Sequence, residues 1–338
     1  MLCLRFPALL TTPDARAIYP MDVVRFTIHL VLVASFALGV LSIVLSRRLA
    51  LGFTGIGLTV AAVLLGGSQV EVTGPIESTR YVGLDWFCLN LFVLALLFVP
   101  LELAFARLPA QGVFRTGWLT DLLHFAVSHL AVQLTVLLTL VPAAVFFRWA
   151  VHPAVQNAIA AQPLVVQLAE IVLVADLAEY AVHRLFHRVP WLWRFHAVHH
   201  SAQAMDWLAA SRIHLADAVL TRAVAFVPLY VLGFAEPAVY AYLVFVSFHA
   251  IFVHANVRFD FGRLEGVLGT PRFHHWHHAA DADAIDKNFA IHLPVIDRVF
   301  GTHHMPAGRW PSAYGIAGNP VPEAYLSQLV YPFTRARA

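Results

Sequence analysis

Long apolar runs separated by short polar stretches set the frame of this chain. A helix needs about 20 mostly apolar residues to cross the hydrocarbon core of a bilayer. By that rule the pattern predicts spans at roughly 25–45, 49–67, 86–106 and 119–147. A fifth run, at roughly 164–182 by the same rule, carries Glu170, Asp176 and Glu179, which are costly in lipid. Two further runs, at roughly 215–233 and 237–255, flank the segment GFAEP, whose glycine and proline predict a tight helical hairpin.

Composition sharpens this picture. Of 338 residues, 59% are hydrophobic and 12% charged, against roughly 25% charged in an ordinary soluble domain. That excludes a water-soluble globule, and also intrinsic disorder, which needs low hydrophobicity and many charges. The net charge of +2 gives no bulk signature for nucleic acid. Lys287 is the single lysine. The two cysteines, Cys3 and Cys88, supply no disulfide framework and no cysteine-based zinc motif. The opening MLCLRFPALL has too short an apolar run for a signal peptide.

Arginine placement predicts orientation. Arg47 and Arg48 follow the first span, Arg107 and Arg115 the third, and Arg184, Arg188 and Arg194 the fifth. The loop at 68–85 carries Glu71, Glu77 and Asp85 against Arg80, and the loop after the fourth span carries Arg148. Odd-numbered span ends are therefore expected in the cytoplasm, although Arg5 and Arg16 fit this scheme poorly. Residues after 182, and those after the last hairpin, would then meet on one face of the membrane. No internal repeat or low-complexity tract interrupts the sequence.

Histidine is the anomaly. There are 19, and fifteen lie between His183 and His304. A buried imidazole needs partners for both nitrogens, so accidental enrichment in an apolar chain is costly. His183 and His187 are spaced i, i+4; His196, His199 and His200 are spaced i, i+3, i+4; His274, His277 and His278 repeat the second spacing. On a helix such side chains share a face, with Cβ atoms about 5–6 Å apart, close enough to bind one ion. Eight histidines exceed the three or four ligands of a tetrahedral zinc, so two metals are expected. Imidazole suits zinc, copper, iron and nickel alike.

Other residues are candidates around this set. Asp176 and Glu179 lie on the helical face of His183 and His187, where they are expected to bind metal, to orient ligand imidazoles by accepting their second N–H, or to line a cavity. His254 is a candidate ligand, His214 and His275 are candidates for metal or for a supporting role, and His249 matches less well. His303 and His304 would cap the site or be solvated, whereas His29, His124, His129 and His152 read as structural. Arg184, Arg188, Arg194 and Arg212 would hold a polar head group or an acidic electron donor, or anchor the membrane surface.

The order H-x3-H, H-x2-H-H and a distant H-x2-H-H resembles the fatty acid hydroxylase/sterol desaturase superfamily. HRLFHRVPWLWRFHAVHHSA, HANVRF, TPRFHHWHHA, DKNFAIHLPVIDRVFGT and the upstream LELAFARLPAQGVFRTGWLTDLLHF carry the likeness, over roughly 100–305. The resemblance implies an all-α, polytopic membrane helical bundle with a cytoplasmic histidine-rich metal-binding cap. It implies N-terminal spans and loop at 1–85, membrane-core helices at 86–160, a catalytic domain at 161–310 and a tail at 311–338. It implies two iron ions bound by His183, His187, His196, His199, His200, His254, His274, His277 and His278. It further implies O2-dependent hydroxylation or desaturation of a sterol-like, hopanoid-like or fatty acyl lipid. An unactivated C–H bond resists acid–base and nucleophilic chemistry, so a metal must supply the oxidant.

Electrons would come from a separate donor of cytochrome b5, ferredoxin or flavin-reductase type, because two cysteines cannot supply a four-cysteine cluster. Alternatives are an ether-lipid (alkylglycerol-type) monooxygenase of the same superfamily and, from another class, a membrane metal transporter or metal sensor with ligands near the bilayer midplane. A zinc hydrolase would lack its HExxH motif. The expected location is a bacterial inner membrane, the terminal TRARA carrying no lysine-type retrieval signal.

Overall fold

A computed structural model describes residues 1–71 and 81–334, with only the backbone described at 14, 15, 132 and 133. Glu77 and Arg80 of the acidic loop and the last four residues of the chain lie outside that range. All regular structure among the described residues is helical. The strand-like pairings there are two isolated bridges, Ala106 with Val257 and Ala279 with Tyr314.

One compact unit comprises Met1–Val93 and His129–Gln133. Its centre is a hairpin of α1 (Met21–Val44) and α2 (Leu49–Leu64), joined by a turn in which Arg47 has φ 51°. Small residues let the two backbones approach: a Cβ added at Gly52 would lie 2.8 Å from the Gly39 carbonyl oxygen. Arg25 donates to the Ser68 and Val70 carbonyls, and Asp85 accepts from Thr12 and Tyr19. Phe26, Leu30, Val33, Leu51, Phe53 and Leu58 point outward, as expected of surfaces that meet lipid.

The second unit comprises Leu94–Ser128 and Leu134–Ala338; the division falls within α3 (Leu84–Ala104). The region expected to be one span at 119–147 is two helices, α4 (Trp118–Leu130) and α5 (Val132–Phe147), whose directions differ by 58°. After α6 (Pro153–Ala160) comes the central helix α7 (Leu164–Arg188), which runs six residues beyond the apolar stretch. Ile171, Ala175, Asp176, Tyr180 and His183 are buried on it at helical spacing. Ile171 and Ala175 pack against Leu229 of α9 (Leu215–Leu232) and against Ala238 and Tyr242 of α10 (Glu236–Phe252). The expected hairpin forms. Gly233 ends α9 with φ 69°, a conformation glycine adopts without strain, and its N–H donates to the Leu229 carbonyl.

By length and composition, four helices among the described residues can cross a membrane: Met21–Val44, Leu49–Gln69, Leu84–Ala104 and Leu215–Leu232. The bent α4–α5 pair counts as a fifth if taken as one span, and α10 is a shorter apolar helix. The chain is a helical membrane protein.

Candidate metal centre

Each histidine group sits at the end of a helix, and the sequence sets those ends. α7 stops at Arg188, just before Pro190, which occupies the first turn of α8 (Pro190–His200). A proline is tolerated there because its missing N–H has no helical partner to lose. α11 (Pro271–His277) starts the same way, with the Thr270 hydroxyl accepting from the Phe273 N–H. His183 and His187 therefore lie in the last turns of α7, and His196, His199 and His200 in those of α8. His274, His277 and His278 lie at the end of α11, and His254 follows α10 by two residues. Unpaired carbonyls make a helix C-terminus electronegative, which favours cations.

The imidazoles converge into two groups. His183, His187, His196, His200 and His277 form one, and His199, His254, His274 and His278 form the other; within each, one ring nitrogen per residue lies within 4.8 Å of all the rest. The i, i+3, i+4 triplets divide between the groups. A helix advances about 100° per residue, so i and i+4 differ by about 40° while i+3 points about 100° from i+4. His196 and His200 accordingly share one group and His199 joins the other; His274 and His278 share one and His277 crosses over. The groups are contiguous, with the His200 and His278 rings stacked at 4.5 Å and the His274 and His277 rings stacked at 5.4 Å.

Hydrogen bonds at the outer nitrogens fix the tautomers. Nδ1 donates to the Phe289 carbonyl from His183 (2.7 Å), to Asp286 from His187 (3.2 Å), and to Asp217 from His196 (2.7 Å). It donates to the carbonyls of Arg212 from His199, Ala250 from His254 and Lys287 from His277. The carbonyls carry no proton, and neither do Asp217 and Asp286 as carboxylates, so with those acceptors each neutral ring is left with a lone pair on Nε2. His183 and His196 then face each other Nε2 to Nε2 at 2.9 Å, and His199 and His254 at 3.3 Å, lone pair against lone pair. The Nε2 atoms of His187 and His277 are buried without a partner. Converging lone pairs with no proton to share repel one another, and a metal cation placed among them removes the repulsion. The donor set fits imidazole-bound metal.

Burial pushes the imidazoles of His183, His196, His200, His274, His277 and His278 well below the ordinary histidine value, and neighbouring histidines push them further. His199 is pushed down to about 4 by burial. The rings are neutral at physiological pH, the form that binds metal.

The acceptors come from two places. The segment Asp286–Phe289 serves three rings of the five-histidine group, with Asp286 and Asn288 both held at positive φ (58° and 56°) to aim successive acceptors inward. Asn288, fully buried, is fixed by hydrogen bonds to Phe273 and His304. Asp297 accepts from the Phe289 and Ala290 N–H groups. The Arg212 carbonyl is held through its side chain, which pairs at 2.5 Å with Asp121 in a buried network with Arg115 and Asp206. Arg212 therefore presents no surface for a head group or an electron donor. Arg184 bonds Tyr180, and Arg194 bonds the Tyr331 and Thr334 carbonyls.

Several expected roles change. Asp176 accepts no imidazole N–H: its oxygens take the backbone N–H groups of Ile291, His292 and Leu293. It holds the chain just after Phe289. The carboxylates that do accept from ligand-group imidazoles, Asp217 and Asp286, stand far from their partners in sequence and were not predicted. His214 joins neither group; it caps α9, its Nδ1 accepting from the Ala216 N–H and its Nε2 donating to the Leu329 carbonyl. His275 points away from both groups, bonding Tyr314 and the His254 carbonyl. Glu179 lies near Asp176 and His292 in a third cluster. His292, paired with His249 at 3.0 Å, was also missed. His303 and His304 join neither group.

Residues 168–302 match the family model for fatty acid hydroxylase. This segment is a fatty acid hydroxylase domain. All nine histidines of the two groups fall within it. The chain is 33% identical over 173 residues to ornithine lipid hydroxylase OlsE of Rhizobium tropici, covering 51% of this chain and 52% of that protein. It is 34% identical over 128 residues to the alkylglycerol monooxygenases of Homo sapiens and Danio rerio, covering 38% of this chain and 28% of each. The chain thus spans about half the length of the first relative and less of the others. No solved structure matches it. Outside the hydroxylase domain, the 309–315 strap reaches its third histidine motif, with the Gly315 N–H donating to the His278 carbonyl.

Proposed function

We propose that this chain is a membrane-bound, O2-dependent di-iron lipid hydroxylase. In this reading, His183, His187, His196, His200 and His277 hold one iron, and His199, His254, His274 and His278 hold the other. The observation that carries it is the pair of adjacent imidazole groups, in which outer hydrogen bonds at six of the nine rings turn the Nε2 lone pairs inward. Iron bound there would supply the oxidant that an unactivated C–H bond needs.

The protein's own part is positional. Asp217, Asp286 and the carbonyls of Arg212, Ala250, Lys287 and Phe289 orient the rings. Trp276, Phe273 and Phe289, all fully buried, keep water from the centre. The lipid enters sideways from the bilayer, beside α7 and α9. The net change is one C–H bond converted to C–OH. One O2, two electrons and two protons are consumed, and the second oxygen leaves as water. The electrons come from a separate redox protein of cytochrome b5, ferredoxin or flavin-reductase type.

Hydroxylation is favoured over desaturation because the relatives are named as a hydroxylase and as monooxygenases. Their names direct the first trials to ornithine lipids and alkylglycerols. The catalytic domain is assigned to 161–310, between membrane-core helices at 86–160 and a tail from 311, with 1–85 an addition. The centre is assigned to the cytoplasmic face of a bacterial inner membrane.

The test is purified, iron-loaded protein with a reductant and lipid extract, with and without O2, read by mass spectrometry. The expected result is an O2-dependent gain of one oxygen atom by a lipid. Stoichiometric zinc with no oxygen consumption, or lipid chemistry that persists without O2, overturns the reading.

A further inference from the structure

The third cluster is not used by the metal-binding reading. One nitrogen of His292 and the carboxylates of Asp176 and Glu179 lie within 4.8 Å of one another. His249 Nε2 donates to the Gly269 carbonyl, so its Nδ1 carries a lone pair and accepts from Nδ1–H of His292. That leaves a lone pair on Nε2 of His292, which is fully buried and has no partner. Asp176 is occupied by three backbone amides and contributes charge. Glu179 is half-buried and makes no hydrogen bond or salt bridge among the described residues. The cluster is rich in acceptors and short of a donor.

Arg222 on α9 completes the picture. It is exposed, forms no ion pair among the described residues, and is the cation that acts on Glu179 across the α7–α9 interface. Both charges lie toward the apolar stretches of their helices, away from the helix ends that carry the metal-binding groups. Glu179 precedes His183 by one turn, about 6 Å along α7, and Arg222 follows Asp217 by about 7.5 Å along α9. Unpaired charges beside apolar helices are costly and mark a functional site. A primary ammonium has three donors and no acceptor, which complements this cluster. An anionic group of the same molecule complements the arginine.

We propose that Glu179 and Arg222 read a zwitterionic lipid head group, with Glu179 on its ammonium, backed by Asp176 and His292, and Arg222 on its anionic group. The inference rests on the lipid-hydroxylase reading and narrows it to amino lipids. It also places the new oxygen on the head group or the carbons next to it, since the charges stand one turn from a metal-binding ring.

The test uses metal-loaded full chain in detergent, offered equal amounts of three lipids with matched acyl chains. These are an ornithine lipid, phosphatidylethanolamine and the N-acetylated ornithine lipid, with retained lipid measured by mass spectrometry. Wild type is expected to enrich one or both zwitterions about tenfold over the N-acetylated lipid, as for a charge-assisted contact. The favoured zwitterion tells whether the anion read is carboxylate or phosphate. Glu179→Gln and Arg222→Gln are expected to lose the enrichment while retaining the wild-type metal content.

Equal retention of all three lipids by wild type overturns the inference even if the variants do not fold. So does enrichment unchanged in both variants, or a third metal equivalent that disappears in Glu179→Gln. Retention is measured without turnover, so these failures are distinct from that of the hydroxylase reading, which fails if wild type oxidises no lipid.

Discussion

Replacing Asp217 by Asn separates the two metal groups. Asp217 Oδ2 accepts from His196 Nδ1 at 2.7 Å, both side chains are almost wholly buried, and Oδ1 accepts from Thr221 at 3.1 Å. The carboxylate can only accept, so it forces the proton onto Nδ1 and leaves Nε2 free for metal. An amide can turn its NH2 toward the ring, because the Thr221 hydroxyl can donate or accept. His196 then carries its proton on Nε2, and the five-histidine group loses a ligand. Loss of such an outer partner lowers metal affinity about 10–100-fold, or about 1.4–2.7 kcal/mol. Titration of metal-loaded protein with a competing chelator should show one equivalent released about 10–100-fold more readily than in wild type. The second equivalent, in the four-histidine group, should be unchanged, and Thr221→Val should shift neither by more than a few-fold. Unaltered affinity for both metals in Asp217→Asn and Asp217→Ala would refute the tautomer argument.

Three further outcomes follow from the same contacts. Asn288→Ala removes three hydrogen bonds of a buried side chain and keeps a positive φ, so thermal denaturation should show a loss of about 2–4 kcal/mol; Asn288→Gly should lose less because the backbone strain is relieved. His214→Ala should cost about 1 kcal/mol as a lost cap and leave metal content unchanged, since this ring lies outside both groups. Metal-free protein should be most stable above about pH 6.5, the ordinary histidine value. Burial lowers the folded-state value, so the unfolded chain binds the protons first. Stability should fall as the pH drops from about 6.5 toward 4, the value to which His199 is pushed, and denaturation midpoints across that range check the sign.

The apolar runs and histidine spacings were legible because each depends on residues close in sequence. The GFAEP hairpin follows from one glycine and one proline, and the four-residue step from His183 to His187 makes a shared face geometrically necessary. The division of each triplet between two groups was also implicit in the 100° advance of a helix. What the spacing does not carry is the outer layer. Asp217 is 21 residues from His196, and Phe289 is 106 residues from His183. The packing of α7, α8 and α9 brings the first pair together, and the packing of Phe289 and Ala290 against Tyr180 of α7 the second. Asp176 was read as a partner for imidazole because it shares their helical face. In the fold that face meets the backbone of 291–293, and exposed amides claimed the carboxylate first. The bend between α4 and α5 has no proline or glycine at the junction to announce it.

The central claim is that nine imidazoles form two metal-binding groups sharing one wall. Metal analysis of the full chain purified without chelator tests it most directly, with His187→Ala and His254→Ala alongside. The account predicts two iron equivalents per chain in wild type and about one in each variant, lost from a different group each time. A single equivalent in wild type, or two retained in both variants, would contradict it.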